Sequence, residues 1–146
     1  MKFEEELFEG INITIMGWSL GGAMSWFAPY MSNRFSNLVV IGSCALYRDI
    51  IMSSKQHHHG LYYYPSFRDH CFDLDEVALD LNNNAVNLTV VFGARDKSCI
   101  MQSLITIVDK IEKYGDPGKF QFKIDKRADH NFSLVKEFLI HKDFDI

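Results

Sequence analysis

The sequence has no cluster of lysine and arginine residues, and its 15 basic side chains are outnumbered by 19 acidic ones, for a formal net charge of −4. Proteins that bind nucleic acid or anionic membrane surfaces usually carry a basic patch, so we expect neither kind of partner. No apolar run approaches the roughly 20 residues needed to cross a bilayer, which predicts a chain without a membrane span.

Cysteine is also scarce, since Cys44, Cys71 and Cys99 are the only ones. An odd number at these spacings is unlike a zinc-binding module and favours reduced thiols. The first residues, Met-Lys-Phe-Glu-Glu-Glu, lack the apolar core of a signal peptide. Together these features predict a cytoplasmic location.

The sequence contains no internal repeat or long low-complexity tract, and short β-type runs alternate with amphipathic helical segments. This alternation predicts an α/β fold, with a mostly parallel β-sheet flanked by helices in one domain spanning residues 1–146. The expected strands are residues 11–16, 38–41, 88–93 and 120–124. The second is apolar throughout and should lie centrally, whereas the fourth alternates apolar with polar residues, as an edge strand does.

Helical spacing of apolar residues accounts for much of the remaining chain. The expected helices cover residues 20–31, 74–81, a segment around 104–111 and 133–141. Gly115 and Pro117 are positioned to end the third of these. Residues 44–72 differ in character, and we interpret them as a loop or lid insertion.

The segment 44–72 contains two runs that invite a functional interpretation. The first is His57-His58-His59, but consecutive positions rarely converge on one ion, so we predict no metal site. The second includes Tyr62 and Tyr63, which either line an acyl pocket or pack on their own domain.

The pattern Gly17-Trp18-Ser19-Leu20-Gly21 lies between the first predicted strand and the following helix. In this setting Gly-x-Ser-x-Gly forms a sharp turn that lifts a nucleophilic serine off the sheet, and side chains at the two glycine positions would collide. The Leu20 N–H begins the helix and can stabilise a developing oxyanion, while Trp18 is a candidate substrate contact. The competing interpretation is a glycine-rich turn with a bystander serine.

A serine nucleophile needs a base, and a histidine base needs an acid that fixes its tautomer. Asp96 follows the third predicted strand and His130 follows the fourth. The carboxyl ends of parallel strands lie along one edge of a sheet, so both side chains can converge on Ser19. The alternatives are that Asp96 is a solvated loop charge and that Asp49, after the second strand, supplies the acid. Asp129 is expected to point away from the ring.

Together these motifs resemble those of the α/β-hydrolase superfamily. The matching segments are residues 17–24 (Gly-Trp-Ser-Leu-Gly-Gly-Ala-Met), 93–96 and 129–132. The turn formed by residues 17–21, called the nucleophile elbow in this family, is most similar to those of carboxylesterases, acyl-protein thioesterases and dienelactone-hydrolase-like enzymes. The similarity covers only the C-terminal half of the family's fold. The resemblance implies that the serine, histidine and aspartate form a catalytic triad, which needs no cofactor.

The resemblance also implies that some family elements are missing. Family members have further strands beside the nucleophile strand, and a loop among them gives a second oxyanion-hole N–H, which residues 1–10 cannot supply. The strand at 11–16 would then be a sheet edge with unpaired backbone groups, available for homo-oligomer formation.

These observations predict a serine hydrolase that cleaves a carboxylic ester or thioester through an acyl-enzyme intermediate. One alternative is a non-catalytic or truncated α/β-hydrolase-like module that binds a partner or itself through the open sheet edge. A further alternative is an acyltransferase or serine peptidase of the same fold, because the triad acts only on the acyl carbon.

Overall fold

A parallel β-sheet organises the protein, whose computed structural model describes residues 11–43, 46–53, 73–97, 101–131 and 135–136. The strands are β1 (Ile13–Trp18), β2 (Phe35–Ile41), β3 (Asn87–Gly93) and β4 (Phe120–Asp125). They lie in the order β1-β2-β3-β4, and each neighbouring pair is parallel. The α/β fold predicted from the sequence is confirmed.

Strand β2 is buried on both faces. Alternate residues of a strand point to opposite sides of its sheet. Leu38 and Val40 accordingly belong to the main core, and Val39 and Ile41 belong to a second, smaller cluster. The unbroken apolar run reflects this two-sided burial, and the central position predicted for it is confirmed.

The helices of the described residues are α1 (Leu20–Ser25), α2 (Phe27–Met31), α3 (Tyr47–Ser53), α4 (Leu74–Asn83) and α5 (Met101–Tyr114). The single helix predicted for residues 20–31 is divided at Trp26. Pro29 has no N–H and cannot donate to the Ser25 carbonyl, so the hydrogen-bond ladder is interrupted there. Helix α5 ends at Tyr114, next to the predicted stop.

An ion cluster joins α3, α4 and α5. Arg48 donates to both carboxylate oxygens of Asp75 at 3.0 and 3.2 Å, and Lys110 donates to the same carboxylate at 2.9 Å. Burial alone would raise the pKa of Asp75, but the hydrogen bonds from Arg48 and Lys110 outweigh it and lower that pKa below its ordinary 3.8. Asp73 adds a link by capping α4 and accepting the Tyr47 N–H at 2.8 Å.

The start of the segment predicted as a loop or lid is a packed helix. Residues 47–53 form α3, and Tyr47 and Ile50 are buried in the main core. This helix was not predicted from the sequence because it is short and Arg48 and Asp49 interrupt its apolar residues. Residues 54–72 lie outside the described part of the chain.

Other predictions also concern residues outside the described ranges. These are the run His57-His58-His59, the candidate contacts Tyr62 and Tyr63, and most of the last predicted helix. Of that helix, Val135 and Lys136 are described, and both are helical.

Strands β1 and β4 form the two edges of the described sheet. The alternation of residues 120–124 predicted this position for β4, and the resemblance implied it for β1. Met16 and Trp18 of β1 are partly exposed. On β4, Phe120 packs against the main core, whereas Phe122 is exposed. Within the described ranges, no helix has both the length and the apolar character to cross a membrane.

Candidate active site

Ser19 is the single residue between β1 and α1, and its backbone is strained. Its φ of 53° and ψ of −121° lie in a region that residues with a side chain rarely adopt. Two hydrogen bonds hold it there. The Ser19 N–H donates to the Ile41 carbonyl at 2.9 Å, and the Ser19 carbonyl accepts the Ala23 N–H at 2.9 Å. Neighbouring β2 and the first turn of α1 therefore fix this conformation.

The glycines around Ser19 have different roles. A Cβ at Gly17 would collide with Ser25 Oγ and with the Gly21 carbonyl, which agrees with the collision expected there. A Cβ at Gly21 would meet nothing within 4 Å, so the collision expected at that position does not occur. The second tight position is Gly22, where a Cβ would lie 2.8 Å from the Cβ of Ser43. Close packing of α1 on the sheet therefore depends on Gly17 and Gly22.

Three side chains predicted from the sequence meet at the carboxyl edge of the sheet. Ser19 Oγ lies 2.7 Å from His130 Nε2, and His130 Nδ1 lies 2.7 Å from Asp96 Oδ2. The Asp96 side chain is fully buried, and the His130 side chain is 27% exposed. A buried carboxylate at Nδ1 favours the proton on that nitrogen, which leaves Nε2 free to accept the serine proton.

Two loops present the aspartate and the histidine, and hydrogen bonds join these loops. The Ala94 N–H donates to the Asp125 carbonyl at 2.8 Å, and the Arg95 N–H donates to the Ala128 carbonyl at 3.0 Å. A Cβ at Gly93 would collide with the Ala128 carbonyl, so the close approach requires glycine. This contact between the loops after β3 and β4 brings Asp96 and His130 together.

Sequence reasoning missed Gly42, which adjoins the imidazole. Gly42 follows β2 with a φ of 59°, and a Cβ there would lie 3.4 Å from both Cε1 and Nδ1 of His130. Its N–H donates to the Val91 carbonyl at 2.7 Å. The signal available in the sequence was a glycine directly after an apolar strand, which marks a position where the backbone turns sharply.

Trp18 lies against the histidine. Its ring stacks on the His130 imidazole with a centroid separation of 5.9 Å and an interplanar angle of 26°. Leu20, the other neighbour of Ser19, is the first residue of α1, and its N–H has no acceptor within that helix because it belongs to the first turn. The Leu20 N–H therefore lies at the start of the helix, directly after Ser19.

The competing residues from the sequence have other contacts. The Asp49 carboxylate accepts the Ser103 hydroxyl at 2.5 Å, and the carboxylate beside His130 Nδ1 is that of Asp96. Asp129 is exposed, and its carboxylate accepts from the Asn131 side chain. In the described part of the chain, no group of three or more histidine, cysteine, aspartate or glutamate side chains is arranged to hold a metal ion.

Comparison with solved structures identifies proteins of similar fold. An esterase of Pyrococcus furiosus is 12% identical with a TM-score of 0.61, and the match covers 94% of this chain and 54% of the esterase. A fluorophosphonate-binding serine hydrolase of Staphylococcus aureus is 16% identical with a TM-score of 0.63, covering 86% of this chain and 50% of that one. An acylaminoacyl peptidase of Pyrococcus horikoshii is 14% identical with a TM-score of 0.63, covering 92% and 23%.

Neither a protein-family model nor a curated protein sequence matches the chain. The chain spans between 23% and 54% of the length of the three solved structures described above. The described residues of this chain have an α/β-hydrolase-like fold.

Proposed function

We propose that this chain is a serine hydrolase that cleaves a carboxylic ester or thioester through an acyl-enzyme intermediate. The observation that carries the proposal is the hydrogen-bonded series from Ser19 through His130 to Asp96, with both contacts at 2.7 Å. A bystander serine would have no need of a buried carboxylate behind the histidine that it contacts. The strained backbone of Ser19 supports the same role, because such strain persists mainly where function requires it.

In the acylation step, Ser19 Oγ attacks the carbonyl carbon of the substrate while His130 Nε2 takes the hydroxyl proton. The carbonyl π electrons move onto oxygen, and the resulting oxyanion accepts a hydrogen bond from the Leu20 N–H. Asp96 stabilises the imidazolium through Nδ1–H. When the tetrahedral intermediate collapses, the bond to the alcohol or thiol breaks, and the leaving group takes the proton from Nε2.

Deacylation repeats these events with water as the nucleophile. His130 Nε2 removes a proton from water, and the hydroxyl oxygen attacks the acyl carbon of the ester on Ser19. Collapse of the second intermediate returns the proton to Ser19 Oγ and releases the carboxylic acid. Every proton and electron pair is accounted for by these side chains and water, so the proposed reaction uses no cofactor.

The named solved structures support chemistry on an acyl group. They do not favour one leaving group over another. They include an esterase, a fluorophosphonate-binding serine hydrolase and a peptidase. We favour an ester or thioester because an alcohol or a thiol is a better leaving group than an amine. A peptidase or an acyltransferase would use the same acyl-enzyme and differ in the group that leaves or the group that attacks.

A fluorophosphonate probe tests the proposal because it reacts covalently with an activated serine. We expect labelling of the wild-type protein on the peptide that contains Ser19 and no labelling of Ser19→Ala. Ser43→Ala is a matched control, since Ser43 lies nearby after β2 and the substitution removes only the hydroxyl and keeps the Cβ that lies beside Gly22. Failure of a folded wild-type protein to react, or equal labelling of Ser19→Ala, would contradict the proposal.

A second candidate function is binding of another copy of the chain through β1. Within the described residues β1 pairs on one side only, with β2, and exposed apolar side chains lie on β1 and α1. They include Met16, Leu20 and Met24. Light scattering after size exclusion tests this candidate: a dimer that Met16→Lys dissociates would support it, and a monomer at all concentrations would exclude it.

A further inference from the structure

The Trp18 indole is a structural neighbour of the histidine as well as of the serine. Trp18 is the last residue of β1, and its backbone is joined directly to Ser19. Its ring stacks on the His130 imidazole at 5.9 Å while its side chain stays partly exposed, at 36%. The indole of Trp18 therefore has one face against the imidazole, and the rest of the ring system is partly exposed to solvent.

The imidazole is held at several points around its ring. Ser19 contacts Nε2, Asp96 contacts Nδ1, and Gly42 leaves only a backbone beside Cε1. These contacts hold the edges of the ring. Trp18 stacks on one face of the ring and adds a contact that opposes its displacement from this position.

We propose that Trp18 is a positioning residue that holds the His130 imidazole plane in line with Ser19 and Asp96 and stabilises the protonated imidazole. An indole face attracts a cation through its ring quadrupole, and tryptophan does so more strongly than phenylalanine or tyrosine. This proposal rests on the proposed hydrolase function, because the imidazolium then forms in each half-reaction.

The charged groups around His130 come from each neighbouring element. The Asp96 carboxylate contacts Nδ1, and Arg95 and Lys97 flank it on the same loop with exposed side chains. Asp129 is exposed on the loop of His130 itself. Substitution of Trp18 changes none of these charges.

The experiment compares the rate of fluorophosphonate labelling in the wild type, Trp18→Leu and Trp18→Phe. We expect Trp18→Leu to react about two- to fivefold more slowly than the wild type and Trp18→Phe to lie between them, because a benzene ring retains part of the attraction. Phe122→Leu is the matched control, since it removes a similarly exposed aromatic ring from the opposite edge strand. Equal rates in wild type and Trp18→Leu would overturn the proposal.

Partial rescue by phenylalanine separates the proposed role from a purely structural one. If Trp18 only filled space, Trp18→Leu and Trp18→Phe would react at the same rate, which would overturn the proposal. Absence of labelling in the wild type would instead reject the hydrolase function, and NMR would still test the ring contact.

The wild-type protein provides this NMR test. A nuclear Overhauser effect between the indole protons of Trp18 and Cε1–H of His130, assigned by its loss in His130→Gln, is expected from the stacked geometry, and its absence would overturn the proposal. If Trp18→Leu does not fold, the labelling rate of Trp18→Phe relative to the wild type gives the direction of the effect.

Discussion

The backbone N–H of Arg95 donates to the carbonyl oxygen of Ala128 at 3.0 Å, and this bond ties the loop after β3 to the loop after β4. Asp96 comes one residue after the donor, and His130 comes two residues after the acceptor. The backbone separation of the candidate acid and base is therefore set by a hydrogen bond between their loops, in addition to the contact between the side chains themselves.

Gly93→Ala should disrupt this arrangement, because the new Cβ would collide with the Ala128 carbonyl. The two loops would have to separate, and displacement of a reacting group by about 1 Å lowers rates by about 100-fold. We expect a loss of that size in fluorophosphonate labelling of Ser19. Gly21→Ala, where a Cβ meets nothing within 4 Å, serves as the control. Labelling of Gly93→Ala at the wild-type rate would show that the loops tolerate separation.

Substitutions of the elbow glycines should affect stability unequally. Gly17→Ala and Gly22→Ala each introduce a methyl group into a filled space, which typically destabilises a protein by about 1–3 kcal/mol. Gly21→Ala should leave the free energy of unfolding unchanged or raise it by about 0.5–1 kcal/mol, because alanine is the better helix former. Urea denaturation measures all three variants. Equal destabilisation by Gly21→Ala and Gly17→Ala would refute this assignment of roles.

The identity of the acid can be tested with two isosteric variants. Asp96→Asn should reduce turnover of an activated ester by about 10⁴-fold, because asparagine favours the wrong imidazole tautomer. Asp49→Asn removes the acceptor for Ser103 and should change stability while leaving turnover near that of the wild type. The reverse ranking of these two variants would make Asp49 the acid.

Asp75 should contribute to stability in a pH-dependent manner. Its pKa is lowered in the folded protein, so its stabilisation is present above the unfolded value of 3.8 and is lost as the pH falls through the folded value. We expect Asp75→Asn to lower the free energy of unfolding at pH 7 by about 2 kcal/mol, the typical contribution of hydrogen bonds to a charged group. The difference from wild type should shrink below about pH 4. Asp80→Asn, at an exposed position on the same helix, is the control for the loss of a carboxylate.

Local patterns were sufficient to predict the four strands of the sheet, although β1 lies two residues later than expected and β2 begins three residues earlier. The apolar run of residues 38–41 requires burial on both faces, and the alternation of 120–124 is that of an edge strand. Since parallel strands share one carboxyl edge, the positions of Asp96 and His130 directly after β3 and β4 were enough to expect them near Ser19. Nothing beyond periodicity and strand direction was needed for this step.

Contacts between distant residues could not be predicted in this way. Whether Gly21 or Gly22 is the tight position depends on where Ser43 lies, and a strand and a loop must first be packed before that distance exists. The same holds for the Trp18 ring, which the sequence suggested as a substrate contact and whose stacking on His130 depends on the loop after β4.

The backbone of Ser19 has a consequence for how this chain changes over evolutionary time. Only glycine adopts φ 53° and ψ −121° without backbone strain, so substitution of Ser19 by glycine would relieve strain of the order of 1–3 kcal/mol. A lineage that no longer needed the hydroxyl would gain stability from that single replacement. Under the proposed function, selection must therefore maintain serine at this position against the more stable glycine, and residue 19 is the first position to examine for loss of that function among related sequences.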